Sequence, residues 1–157
     1  MILVTEVGLE DDIESLVGQI NSAVWDDANE MGAYQPDALR AYLERADTVF
    51  IVCHECIGAS RSFLGMASSR LEMKPYDHEL WLYVDELDVC ANQRRKGAAT
   101  AMMNYLLEYA ADHNCSELWL GTEVENHVAQ GLYESLDPDE TGRFVGYTYE
   151  VDGTDYE

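Results

Sequence analysis

Lysine is nearly missing from this 157-residue chain. Lys74 and Lys96 are the two it has, and all nine lysines and arginines stand against 31 aspartates and glutamates, for a formal net charge of −22. Nucleic-acid binding wants basic stripes and anionic membranes want basic patches, so neither partner is expected. Apolar runs of bilayer length are absent, as is a charged-then-apolar start, which predicts a cytoplasmic protein. Cysteine is sparse: Cys53, Cys56, Cys90 and Cys115 include a single C-x-x-C, without the second ligand pair a zinc site needs or a thioredoxin-like context. All four are read as structural, and no metal is expected. Linkers, repeats and low-complexity segments are missing too, so residues 1–157 are expected to form one domain with one core. The acidity itself has two readings: solvation of the kind found in proteins adapted to high salt, or steering of cationic substrates.

What is present alternates strand and helix. Residues 1–7 open as a strand. Ile13, Leu16, Val17 and Ile20 fall at helical spacing, predicting a helix over 10–20 whose start Asp11 and Asp12 favour. After a polar stretch, Pro36 begins a second helix running to about 46. Strands follow over 48–53 and 63–71, joined by a turn at Gly58-Ala59-Ser60. A rich apolar segment over 79–89 reads as a central strand. Residues 98–110 form a helix with Ala99, Met102, Met103, Leu106 and Ala110 on one face. A strand over 117–122, a short helix over 128–136 and a strand over 143–151 complete an α/β chain with a mixed sheet. Trp25 is read toward an acceptor pocket, Trp81 and Trp119 as sheet packing, and the four histidines as surface or turn residues.

Against this acidic background three basic residues stand together in Gln93-Arg94-Arg95-Lys96-Gly97-Ala98-Ala99, where a strand ends and a helix begins. Free amides converge at a helix start and the dipole favours negative charge there. Gly97 permits torsions a side chain resists, Ala99 allows close approach, and Thr100 adds a hydroxyl. A bound anion is the functional reading, and an ordinary helix start is the bland one.

Leu87-Asp88-Val89 followed by Arg94-Arg95-Lys96-Gly97-Ala98-Ala99 resembles motif A of the GNAT superfamily of N-acetyltransferases, Q/R-x-x-G-x-G/A after the fourth strand. Asn126-His127-Val128-Ala129-Gln130-Gly131-Leu132-Tyr133-Glu134-Ser135-Leu136 resembles that family's N-x-x-A-x-x-L-Y-x-x-L segment. Within the superfamily the chain looks like the aminoglycoside 3-N-acetyltransferase type I branch, through Pro36-Asp37, Tyr42-Leu43, the run from Tyr83 to Val89, and Leu132-Tyr133. Ala99 replaces the commoner second glycine, Asp137 stands where many members have glycine, and the region between the first two helices is shorter than in that branch.

The resemblance implies a mixed central sheet flanked by about four helices and splayed between the fourth and fifth strands. It implies acetyl-CoA as donor and a primary amine of a cationic small molecule as acceptor, with the 3-amino group of an aminoglycoside, and hence antibiotic resistance, as its narrowest form. Protein, peptide or polyamine acceptors, or a non-catalytic acyl-CoA-binding module, are the alternatives. A homodimer is compatible with it. Amides and charges of Arg94, Arg95, Lys96, Gly97, Ala98, Ala99 and Thr100 would hold the pyrophosphate. The backbone of Leu87, Asp88 and Val89 would pair with the pantetheine arm, and Asn126 would line its slot. Glu86, with Asp85 second, would take the amine proton, and Tyr133 would return one to the departing thiolate in a ternary complex. Glu123, Glu125, Asp26, Asp27 and Glu30 would meet the cationic acceptor.

Overall fold

The computed structural model describes residues 1–26 and 31–152, so Asp27 and Glu30 lie outside the described residues. They divide into two compact units, Met1–Glu123 and a smaller one from Val124.

The first unit is a sheet covered on both faces. β1 (Ile2–Glu6), β2 (Thr48–Ile57), β3 (Ser60–Met73), β4 (Leu80–Val89) and β5 (Glu117–Trp119) lie side by side in that order. The first three pairings are antiparallel, and β4 pairs parallel to β5. The middle strand is β3, so the apolar segment expected at the centre is the fourth strand, flanked on both sides. β4 and β5 meet over Trp81↔Glu117 to Tyr83↔Trp119 and no further. The second half of β4 therefore has a sheet neighbour on one side, β3, which is the expected splay.

α1 (Ile13–Ser22) and α2 (Pro36–Glu44) cover one face. The buried stripe Ile13, Leu16, Val17, Ile20 packs with Leu39, Phe50, Val52 and Met66. α1 starts three residues later than its apolar spacing and acidic start suggested. Asp12 spends its carboxylate on the Ser15 amide at 3.0 Å, making it the cap rather than a first-turn residue. α3 (Ala98–Asp112) covers the other face, burying Ala98, Met102, Leu106 and Ala110 against Val49, Ile51, Leu64, Leu82 and Val84. Ala98, not Ala99, is the core residue at its start. Trp25 also belongs to packing: its indole N–H donates to Ile20 O at 2.9 Å and its ring meets Phe63 edge-on. His54 is buried rather than on the surface, because β2 runs on to Ile57 and turns the imidazole toward Gln19 Oε1, 3.1 Å from Nε2.

The second unit holds α4 (His127–Ser135), and residues 137–152 carry neither helix nor strand. The strand expected over 143–151 is not formed. Its alternation is real, but Val145, Tyr147, Tyr149 and Val151 are exposed, and no described strand offers it a hydrogen-bonding partner. None of the described helices is long and apolar enough to cross a membrane.

Candidate functional site

β4 carries the site because it breaks its own alternation. Opposite β3, Ser68 pairs with Glu86 and Ser69 with Val84, leaving Asp85 as an extra residue in a bulge. Side chains of a strand alternate between faces, so one inserted residue reverses the order beyond it. Leu82 and Val84 face α3, and past the bulge Leu87 and Val89 pack on that same cluster. Glu86 and Asp88 are thereby turned to the α1/α2 face. Without the bulge they would fall in line with Leu82 and Val84, against the apolar core under α3.

On that face Tyr34 meets them. Its backbone is clamped by Asn21 of α1, which accepts from Tyr34 N at 2.9 Å and donates to Tyr34 O at 3.0 Å. Burial pushes the Tyr34 phenol up to about 12, helped by the charges of Glu86 and Asp88. Asp88 is half-buried, and desolvation, then the Glu86 charge, raises its carboxyl to about 6. Glu86 and Asp85 are exposed. Asp85 is committed to an ion pair with Arg70 at 3.3 Å. The backbone under Asp88 is tightly held: a Cβ on Gly65 would stand 2.4 Å from Asp88 O and 3.2 Å from Val89 Cα. Only glycine fits there.

Beyond Val89 a 3-10 turn over Ala91–Gln93 leads into the basic turn. Arg95 and Gly97 both have left-handed backbone, at φ 66° and 86°. Gly97 precedes α3 with no side-chain cap, no acidic residue in the first turn, and nothing within 4 Å of where its Cβ would be. Among the described residues, no side chain caps the first amides of this 15-residue helix. That cradle fits a pyrophosphate. Two cations of the turn are held by carboxylates: Arg94 by Asp26 at 2.7 Å, and Lys96 by Glu55 at 3.0 Å. Asp26, expected to face the acceptor, is the partner of Arg94 in the basic turn. A cleft of about 340 Å³ lies beside the turn, between Gln19, Arg61, Phe63, Cys90, Asn92 and Gln93, and neither Glu86 nor Asp88 lines it.

Leu87, Asp88 and Val89 lie on β4 beyond its pairing with β5, where no described strand pairs with their backbone on the β5 side. Thr100 and Ala99 lie partly open in the first turn of α3. Glu123 closes the first unit, whereas Glu125, Asn126 and Tyr133 belong to the second. There Asn126 caps α4, accepting from Ala129 N at 3.1 Å. Among the described residues no group of three or more histidine, cysteine or acidic side chains is placed to hold a metal ion. The half-buried side chain of Asp88, the clamp on Tyr34 and the close approach at Gly65 have no signal in the sequence. The bulge had a signal: the aliphatic residues of β4 fall two apart up to Val84, then three apart to Leu87.

Residues 12–137 match the profile of the acetyltransferase (GNAT) family. N-acetyltransferase family 8 member 3 of Mus musculus is 30% identical over 113 residues, 72% of this chain and 48% of that protein. This chain therefore spans about half the length of that relative. The uncharacterized N-acetyltransferase YhfO of Bacillus subtilis is 26% identical over 113 residues, 72% of this chain and 73% of the other. Among solved structures, an aminoglycoside acetyltransferase from an uncultured soil metagenomic sample, in complex with sisomicin, superposes with a TM-score of 0.79 at 14% identity, covering 96% of each chain. A ribosomal-protein-alanine N-acetyltransferase from Brucella melitensis does so with a TM-score of 0.72 at 16% identity, covering 96% of this chain and 99% of the other. The family match runs from the cap of α1 through the bulged β4 and the open start of α3 to the end of α4, and the chain belongs to the acetyltransferase (GNAT) family.

Proposed function

We propose that the chain transfers an acetyl group from acetyl-CoA, the donor its family uses, to a primary amine of a cationic small molecule. The observation that carries this reading is the two-sidedness of β4. The strand ends on an uncapped, base-rich helix start suited to an anion, while its bulge turns Glu86 and Asp88 together to one face.

Each residue then has a task. Amides of Gly97, Ala98, Ala99 and Thr100 hold the pyrophosphate, with Arg94, Arg95 and Lys96 adding charge. The backbone of Leu87, Asp88 and Val89 takes the pantetheine arm as a strand would, using the edge that β5 leaves open. The Val89 amide polarises the thioester carbonyl. An alkyl ammonium has a pKa of about 10, so a carboxylate must hold it and a base must deprotonate it. Glu86, exposed beside Asp88, meets the ammonium, and the ion pair of Asp85 with Arg70 favours Glu86 over Asp85 for that contact. The family pattern gives the thiolate's proton to Tyr133. An aminoglycoside is the favoured acceptor, supported by the acidic face and by the fold shared with the sisomicin-bound enzyme.

The experiment is a panel of aminoglycosides, polyamines and peptides, each offered with acetyl-CoA, with release of the free CoA thiol as readout. Turnover is expected to concentrate on multiply charged small amines. Turnover confined to peptides would replace the acceptor class, and CoA binding without turnover on any amine would leave an acyl-CoA-binding module.

A further inference from the structure

Two carboxylates share the α1/α2 face of β4, and their surroundings differ. Glu86 is exposed on a long, mobile side chain. Asp88 is half-buried on a short one, and its backbone is pinned by the close approach of Gly65. Among the described residues, the groups that face this pair act in the same direction. On β4 the neighbour of Asp88 is Glu86, a like charge. From the segment ahead of α2 comes Tyr34, a phenol whose ordinary pKa already lies near 10 and is pushed up to about 12, so it carries no charge at neutral pH. From β3, the residue opposite Asp88 is the apolar Met66, and the one opposite Glu86 is Ser68. No cation among these groups holds Asp88 in its ionised form.

We propose that the Asp88 side chain is the base of the reaction, taking the proton from the acceptor's ammonium, while Glu86 holds that ammonium in place by charge. This rests on the acetyl-transfer reading and divides between two residues the work of its acidic face. In the step, Asp88 carboxylate accepts one proton from R–NH₃⁺, giving R–NH₂. The nitrogen lone pair attacks the thioester carbonyl carbon, and the C–N bond forms. The C–S bond then breaks with its electron pair on sulfur. The second proton of the attacking nitrogen ends on that thiolate, and Asp88 returns its proton to solvent. The products are the amide and the CoA thiol. A carboxyl near 6 is a stronger base than one at the ordinary 3.8, and is still mostly ionised at pH 7.

The test compares wild type with Asp88→Asn and Glu86→Gln, using the best acceptor of the panel across pH 4.5 to 9. In wild type, log kcat/KM should fall with unit slope below pH about 6. Asp88→Asn should lose at least about tenfold to a hundredfold in kcat and lose that break, with KM for the amine changed little. Glu86→Gln should raise KM more than it lowers kcat. Both variants should bind CoA as wild type does, which shows the fold intact. Wild-type rates and an unmoved pH break in Asp88→Asn would overturn the role of Asp88 and leave acetyl transfer standing. Absence of turnover on every amine would remove both readings together. A readout independent of turnover is the Asp88 carboxyl carbon resonance against pH. A midpoint at about 6 is expected, and a midpoint in the ordinary carboxylate range sinks the inference. Linkage gives a further check. Between about pH 3.8 and 6 the folded chain binds more protons at Asp88 than the unfolded chain does, so this residue's contribution to stability falls as pH rises through that window. The Tm of Asp88→Asn should therefore gain on wild type over the same range.

Discussion

Helix α1 and helix α3 begin in opposite ways. α1 is closed from within: Asp12 accepts the Ser15 amide at 3.0 Å, and Glu14 sits in the first turn. α3 begins at Gly97 with no side-chain cap and no acid in its first turn, in a chain with 31 acidic residues. Both helices carry the same dipole and the same uncovered amides. At α1 the chain satisfies them with its own charge and gains stability. At α3 it keeps carboxylates out of the first turn and brings Arg94, Arg95 and Lys96 ahead of it, two of them paired with Asp26 and Glu55. The difference separates a helix start that serves folding from one that the proposed function reserves for a ligand.

The largest effect should come from making the second start resemble the first. Ala99→Asp places a carboxylate in the first turn of α3, and CoA affinity should fall by roughly tenfold to a hundredfold, on the order of 2 kcal/mol, with Tm almost unchanged. Calorimetric titration with CoA beside a thermal melt checks this; retained affinity would show that the donor does not sit there. Gly97→Ala should cost on the order of 1 kcal/mol of stability, because alanine resists φ of 86°, and should weaken CoA as the amides tilt. Denaturant unfolding measures the first part.

The converse variant is Asp12→Ala. It should remove about 1 kcal/mol from the stability of the fold and leave CoA affinity alone; a parallel loss of affinity would erase the distinction between the two helix starts. The smallest effect belongs to Asp26→Asn. Freed from the 2.7 Å pair, Arg94 should bind CoA about twofold to threefold more tightly at low salt, an exposed pair being worth little. The gain should vanish at high ionic strength.

The helices were legible because their stripes repeat with the helical period: Ile13, Leu16, Val17 and Ile20 in α1, and Met102, Leu106 and Ala110 in α3. The basic turn was legible for a similar reason, since a cluster of cations before Gly97 contrasts with everything around it. The last strand was read from alternation over 143–151, and alternation does not supply a neighbour. The exposed Tyr147 and Tyr149 show a strand pattern without a ladder. His54 was misplaced because the length of β2 depends on its pairing with β3, as far as Ile57↔Ser60.

The sequence by itself determined the element types as far as α4, the family and the open, basic start of α3, because these depend on residues close together along the chain. Only the tertiary structure decided that Arg94 is held by Asp26 and that Asp88 differs from Glu86. The last distinction rests on burial and on charge brought near. The bulge at Asp85 needs β3 beside it to exist, and Tyr34, its backbone bonded to Asn21, lies where the charges of Glu86 and Asp88 act on it. Desolvation belongs to no residue alone; it is set by what the fold packs around it.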